Sequence, residues 1–349
     1  MPDTLDSLAT AEALHAEEAG LVYISGEVPG ISRKGCGRGF AYYNPDGALL
    51  RDRDVRARID ALAIPPAYRE VWICPLPDGH LQATGRDERG RKQYRYHEKW
   101  HDIRQRVKYD RMIGFGEALP ALRAQVESDL RRRGLPQEKV VALCVRLLDE
   151  TLVRIGNADY ARQHRHYGLT TLRDKHAKVK GDTVTFAFVG KSGQEQEVTL
   201  EDRRLARLVK RCRDVPGYSL FQYHDEAGER CTVDSTTVNA YLRAHTGEDA
   251  TAKFFRTWGG TVLAAQALER EGAPESEADG VRKEAAAVRA VAEALGNTPA
   301  VCRSHYIHPD VFDAYRAGTL AARLAVRNPG NTPAGFDPAE AAVLDLLKD

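Results

Sequence analysis

The spacing of apolar residues changes near residue 108, which limits the chain to two kinds of structure in series. Before that point, β-type segments alternate with turn signals. Leu21–Ser25 and Gly39–Tyr43 read as strands, and Asn44–Pro45–Asp46–Gly47 as a turn. A helix at Asp54–Leu62 stops at Pro65–Pro66. Val71–Cys74, His80–Thr84 and Lys92–Tyr96 follow as strands, separated by Pro77–Asp78–Gly79 and the polar Arg86–Gly90 turn. After the change, Leu119, Leu122, Val126 and Leu130 recur at helical spacing until Gly134. Pro136 opens a second helix, carried on by Val140 to Ile155 and ending at Arg154. One β interruption follows: Val184, Phe186 and Phe188 alternate, Gly190–Gln194 turns, and Val198–Leu200 returns. That is a hairpin with Lys191 and Ser192 in its turn. The remainder reads as helical over 201–213, 234–246, 250–270 and 275–295, the last stopped by Gly296. Asn331–Phe336 reads as a linker to a short acidic terminal helix. The pattern specifies an α+β protein, with a small β-rich domain over 1–107 and a larger, mostly α-helical domain containing one β-hairpin over 108–349.

A length of 349 residues fits two domains. The net charge of +1 hides an uneven distribution: setting aside −5 in residues 1–20 and −3 in 337–349 leaves +9 between them. Residues 86–111 hold ten Lys/Arg against five Asp/Glu, interleaved with Tyr and Trp, a composition that suits a polyanion partner. The six cysteines are scattered with none at CxxC spacing, which argues against structural zinc and a disulfide framework. No run of 18 apolar residues is long enough to span a bilayer, and the acidic first 20 residues lack the layout of a secretory signal. A cytoplasmic location is expected.

Two motifs imitate other chemistry. His97–Glu98–Lys99–Trp100–His101 matches the HExxH pattern, but it leaves a strand, is crowded by Arg95, Lys99 and Arg104, and has no evident third ligand. Gly190–Lys191–Ser192 imitates the end of a P-loop, yet Thr185 stands where the first glycine belongs and a strand follows instead of a helix.

Five residues remain whose chemistry fits together: Arg154, Lys191, Arg256, Asn297 and Tyr306, with Lys253 beside them. Each taken alone reads as an ion-paired arginine, a surface lysine, a helix cap or a packed tyrosine. In this order and setting they resemble the catalytic set of the type IB DNA topoisomerases, specifically the poxvirus-like and bacterial enzymes. Ile64–Pro65–Pro66–Ala67, Val71–Trp72–Ile73–Cys74, Gly79–Asp87 and Gly90–Tyr96 resemble the N-terminal domain of that family. Tyr167–Leu172, Gly296–Pro299 and Arg303–Tyr306 resemble its C-terminal domain, and the matches run from roughly residue 20 to 310.

The resemblance implies that Tyr306 attacks a phosphodiester and becomes linked to the 3′ phosphate, relaxing supercoils without ATP, cofactor or metal. Arg154 and Arg256 would clamp the non-bridging oxygens, Lys191 would protonate the leaving 5′ oxygen, and Lys253 would help relay that proton. It further implies that Gln93, Tyr94 and Tyr96 meet bases in the major groove, that Arg91 and Lys92 hold the backbone, and that Tyr160 lies near the cleavage site. The partner would be double-stranded DNA, clamped by a monomer whose two lobes join near residues 105–110, in the cytoplasm on the nucleoid. Tyrosine recombinases share the Arg, Lys, Arg, Tyr set. They usually place His where this chain has Lys253, and their N-terminal domain is helical. A non-catalytic nucleic-acid binder would explain the basic strip but not the C-terminal set.

Asn297 stands where the poxvirus enzymes usually carry histidine. Asparagine donates an N–H but does not exchange protons near neutral pH. The pH–rate profile of the wild type should therefore be flatter around pH 6–7 than that of Asn297→His. Superimposable profiles for the two proteins would contradict this role.

Overall fold

The computed structural model describes residues 12–225, 227–247, 250–325 and 335–348. The chain divides into two compact units, Met1–Lys108 and Tyr109–Asp349.

The first unit is built on a five-stranded antiparallel sheet in the order β2-β1-β3-β4-β5, with β1 Ile31–Cys36, β2 Gly39–Tyr43, β3 Arg69–Ile73, β4 Leu81–Arg86 and β5 Lys92–Tyr96. Helix α2 (Arg53–Ala61) follows α1, the helical residues 12–18. Its N-cap Asp52 accepts from the amides of Asp54 and Val55. Ile59 of this helix joins Ile31, Tyr42, Leu50, Val71, Ile73 and Ala83 in one apolar core. A smaller cluster joins Ala16 and Leu21 to Trp100, in the first turn of α3 (Glu98–Leu130).

One expectation for this unit needs correction, and one strand was not anticipated. Leu21–Ser25 is not a strand: Val22 makes a single parallel bridge to Gly79, and the next amide a ladder would use, Ile24 N–H, donates instead to His80 Nδ1 at 3.0 Å. The strand that does occur, β1, reads Ile-Ser-Arg-Lys-Gly-Cys and has no apolar alternation. Its cations are absorbed locally, with Arg33 over the Phe40 ring and donating to three carbonyls, and Lys34 over Tyr43.

The second unit packs helices α4 Gln137–Thr151, α6 Arg203–Arg213, α7 Ser235–Thr246, α8 Lys253–Glu271 and α9 Glu277–Leu295 around one large core, to which Tyr109 through Leu130 of α3 contribute. The expected hairpin is β7 Thr183–Val189 with β8 Glu195–Glu201, and β6 Ala177–Lys180 adds a third strand. On β7, Val184, Phe186 and Phe188 point into the core while the residues between them do not.

Here too the structure departs from expectation. Helix α4 stops at Thr151, so Arg154 lies in the segment after the helix instead of ending it. The C-cap Leu152 is left-handed at φ 54°, which breaks the helix although its side chain is apolar. Between the expected helices 201–213 and 234–246, where no element was assigned, lies a two-stranded ribbon, β9 Gln222–His224 with β10 Arg230–Thr232. Helix α5 (Ala158–His164) buries no residue, so it leaves no apolar period to detect. Short helices α10 Pro299–His305, α11 Pro309–Arg316 and α12 Leu320–Leu324 follow α9. Residues 331–334 of the expected linker lie outside the described residues, as do Asp3 and Asp6.

The terminal helix α13 (Pro338–Lys348) is acidic in composition but docked, burying Ala341, Ala342, Val343, Leu344, Leu346 and Leu347. Its Glu340 closes a network in which Arg123 pairs with both Asp149 and Glu340, and Trp258 Nε1 donates to Glu340 at 3.0 Å. Burial would raise the Glu340 carboxyl, but Arg123 outweighs it and holds the group below its ordinary value. A carboxyl depressed in the folded state contributes stability above its unfolded value, about 4.3, which is lost as pH falls through the lower folded value. Denaturant midpoints should therefore fall on acidification below about pH 4, with a shallower fall for Glu340→Gln. Arg123→Met strands two carboxylates and should cost about 3–5 kcal/mol in equilibrium unfolding.

Candidate active site

Arg256 lies in the second turn of α8, in the run Lys-Phe-Phe-Arg-Thr-Trp-Gly-Gly, and is only 4% exposed. Burial lowers its pKa, as does repulsion from Arg154, but a guanidinium starts so high that it stays charged. Nη1 donates to the carbonyl of Leu152, and Nη2 to that of Leu295 at 2.8 Å. The guanidinium carbon sits 5.1 Å from the centre of the Tyr306 ring. Two glycines admit these approaches: a Cβ on Gly259 would fall 2.7 Å from the Leu152 side chain, and one on Gly260 would fall 2.6 Å from the Tyr306 carbonyl.

Arg154 is held by a clasp of backbone. The segment Tyr167–Leu172 runs alongside it: Leu169 N–H donates to Arg154 O at 2.8 Å, and Thr170 donates to Ile155 O through both N–H and hydroxyl. A Cβ on Gly168 would lie 2.5 Å from Arg154 O, so no larger residue fits there without a shift. Tyr167 N–H reaches Val189 O at 2.8 Å, which ties the same clasp to the base of the β7–β8 turn. Arg154 Nη2 then spans to the end of α9, donating to Gly296 O at 3.3 Å and to Asn297 Oδ1.

Helix α9 ends in the left-handed Gly296, whose Cβ position is filled by the Gln196 amide of β8. The Asn297 N–H donates back to Ala292 O, which fixes the side chain beside Arg154. With Oδ1 occupied, its Nδ2 is buried and has no protein acceptor among the described residues; the same is true of Arg256 Nε. Buried donors of this kind cost free energy unless something accepts from them. Asn297 Nδ2 beside the Arg154 and Arg256 guanidiniums, one of which still has its Nε–H to give, suits an oxyanion.

Tyr306 caps α10, whose N-cap is Thr298 followed by Pro299. The residues after it are pinned: Tyr109 donates to Ile307 O at 2.7 Å, and His308 N–H donates to Thr261 Oγ1 at 3.1 Å. Burial pushes the Tyr109 phenol up to about 12, so it stays a donor. Tyr306 goes the other way. Burial would raise it, but Arg256, Lys253 and Arg154 outweigh burial and bring the phenol below its ordinary 10. Lys253 is exposed at the start of α8, three residues before Arg256 and so on the same helix face.

The structure thus brings Arg154, Arg256, Asn297 and Tyr306 together, with Lys253 near enough to act on the phenol. Lys191 stands apart from this network, exposed in a turn that Ser192 and Gly193 close at φ 64° and 75°. It makes no hydrogen bond or ion pair among the described residues, unlike the four above. Tyr160 is exposed on α5, edge-on to His164. The carbonyls of Leu152, Leu295 and Gly296 are not legible in the sequence, because a backbone acceptor has no side-chain signature. Gln196 was also missed.

In the first unit, β5 is an edge strand. Lys92, Tyr94 and Tyr96 share one of its faces, and the two tyrosine rings are stacked at 6.1 Å and 49% and 42% exposed. Gln93 and Arg91 both engage Asp87. The HExxH stretch opens α3: His97 Nδ1 accepts from Lys99 N–H and the helix begins at Glu98, so His97 is occupied as a cap.

Comparison with known proteins matches these features. Residues 97–323 match the family model of the eukaryotic DNA topoisomerase I catalytic core, and residues 39–87 that of the bacterial DNA topoisomerase IB N-terminal domain. DNA topoisomerase 1B of Acanthamoeba polyphaga mimivirus is 32% identical over 295 residues, covering 82% of this chain and 88% of that protein. DNA topoisomerase 1B of vaccinia virus (strain Copenhagen) is 24% identical over 149 residues, 42% of this chain and 46% of that protein. A crystal structure of the XerH site-specific recombinase bound to a palindromic difH substrate aligns at a TM-score of 0.34 and 17% identity, covering 54% of this chain and 47% of that one. That overlap is too slight to argue from. On the family models and the mimivirus relative, this chain belongs to the type IB DNA topoisomerases and is an isomerase.

Proposed function

We propose that Tyr306 is the nucleophile of this topoisomerase and that Arg154, Arg256, Asn297, Lys191 and Lys253 serve it. The observation that carries the proposal is one phenol held beside two guanidiniums, with two buried donors lacking an acceptor. The phenol gives up its proton to solvent, its oxygen forms a bond to phosphorus and the bond to the 5′ oxygen breaks, leaving a 3′-phosphotyrosyl linkage and a 5′ hydroxyl. The linkage conserves the phosphodiester energy, so religation needs no nucleotide. Arg154, Arg256 and Asn297 Nδ2 stabilise the charge that grows on the non-bridging oxygens. Lys191 delivers the proton to the leaving oxygen, with Lys253 relaying; an exposed turn suits a group that engages only when DNA is present.

The face of β5 bearing Tyr94 and Tyr96 supports a groove-facing role for the two tyrosines, with Arg91 and Lys92 holding the backbone and Gln93 meeting a base from the other face, beside Asp87. Tyr160 touches DNA near the cut. We further read the protein as a bacterial monomer acting on nucleoid DNA in the cytoplasm. The match to the bacterial N-terminal domain supports the source, and no described helix is long and apolar enough to cross a membrane.

Plasmid relaxation in EDTA without ATP should proceed for the wild type and stop for Tyr306→Phe; relaxation by the phenylalanine variant would remove Tyr306 from its role. Lys191→Ala should slow cleavage about 10²–10⁴-fold on ordinary DNA. It should recover on a duplex whose bridging 5′ oxygen is sulfur, because a thiolate leaves without a proton. Equal defects on both duplexes would rule out Lys191 as the acid.

A further inference from the structure

Helix α10 carries Tyr306 but has only seven residues, too few to hold itself in place by its own hydrogen bonds. Its N-cap is long at 3.4 Å, Val301 and Ser304 face solvent, and only Cys302 is buried. One lateral anchor is Arg303, which donates to Glu284 Oε2 at 2.5 Å and lies over the Phe312 ring. Glu284 is in mid-α9, 2% exposed, and also takes a two-pronged contact from Arg316 of α11 at 2.7 and 2.8 Å. Burial opposes its charge, but Arg316 and Arg303 outweigh burial and keep the carboxyl below its ordinary value.

A buried carboxylate is a poor source of stability, since a well-packed apolar replacement is often neutral or better. What it supplies is registry. The same α9 offers Leu295 O to Arg256, and its end offers Gly296 O and Asn297 to Arg154. Glu284 lies thirteen residues before Asn297, about 20 Å along a helix. One rigid element therefore references both arginines at its end and the tyrosine helix at its middle. Arg303 is less than one turn from Tyr306, so movement of this pair is passed directly to the phenol.

We propose that Glu284 is a positioning residue for the cleavage reaction, acting through Arg303 to fix α10 and hence Tyr306 against the arginine pair. This rests on Tyr306 being the nucleophile.

Arg303→Met and Arg316→Met each remove one arginine from the same carboxylate, but only Arg303 is on the tyrosine helix. The test uses the full chain on supercoiled plasmid with enzyme in excess, following the detergent-trapped protein–DNA adduct in a single turnover, together with filter binding and thermal unfolding. Arg303→Met should slow adduct formation roughly tenfold to a hundredfold, as expected for a misplacement of about an ångström. Its DNA affinity should stay within about twofold, and Arg303→Lys should recover part of the rate. Arg316→Met should slow the step less than about threefold even if its Tm falls as far. Glu284→Gln combined with Arg303→Met should be no slower than Arg303→Met alone. A wild-type rate for Arg303→Met, or slowing of both arginine variants in proportion to lost Tm, overturns the proposal. Adduct formation by Tyr306→Phe would instead overturn the assignment of the nucleophile.

Discussion

The charge of Arg256 is almost fully buried, with Nη1 and Nη2 held by two backbone carbonyls, and the rest of the site depends on that contact. Leu152 O comes from the strained turn after α4, and Leu295 O from the last turn of α9. One guanidinium therefore ties three parts of the chain that are distant in sequence. Removing it would leave two carbonyls without donors and an apolar pocket shaped for a cation, a heavy penalty in a low-dielectric setting. The left-handed Leu152 is a cost the fold carries at this point, and its carbonyl direction is what the cost secures.

From that anchor the electrostatics follow. Arg154 is brought to within repulsion of Arg256, which neither group would choose without a compensating anion. The phenol of Tyr306 is drawn below its ordinary pKa by the same two cations and Lys253, even though burial pulls the other way. Tyr109 is also buried, and there burial prevails and raises the phenol. The difference between the two tyrosines is one of neighbours, not of burial. Clustered positive charge and buried donors with no protein acceptor among the described residues describe a structure complementary to a charge that arrives with the substrate.

Much of this was legible in the sequence because it rests on side chains and periodicity. Lys253–Gly260 had helical spacing with its arginine on the face of the lysine, and Gly296 marked the stop that exposes Asn297. The β7–β8 hairpin was visible in Val184, Phe186 and Phe188. The elements that escaped notice lack such signals. Strand β1 is polar throughout, α5 buries nothing, and Arg154 was read as a helix end because nothing in Leu152 announces a left-handed residue. The role of Tyr167–Leu172 as a clasp on Arg154 depends on Gly168 approaching backbone, which only coordinates reveal. Within β5, the sequence grouped Gln93 with Tyr94 and Tyr96. The strand period separates them, and Asp87 holds Gln93 together with Arg91.

The central claim is that one named oxygen makes the covalent bond to DNA. It is tested most directly by trapping the adduct on supercoiled plasmid, digesting both components and sequencing the modified peptide by mass spectrometry. The account predicts a nucleotide joined through its 3′ phosphate to Tyr306, on a peptide containing His305 and Ile307. A nucleotide on any other residue, or a linkage through the 5′ phosphate, would contradict it.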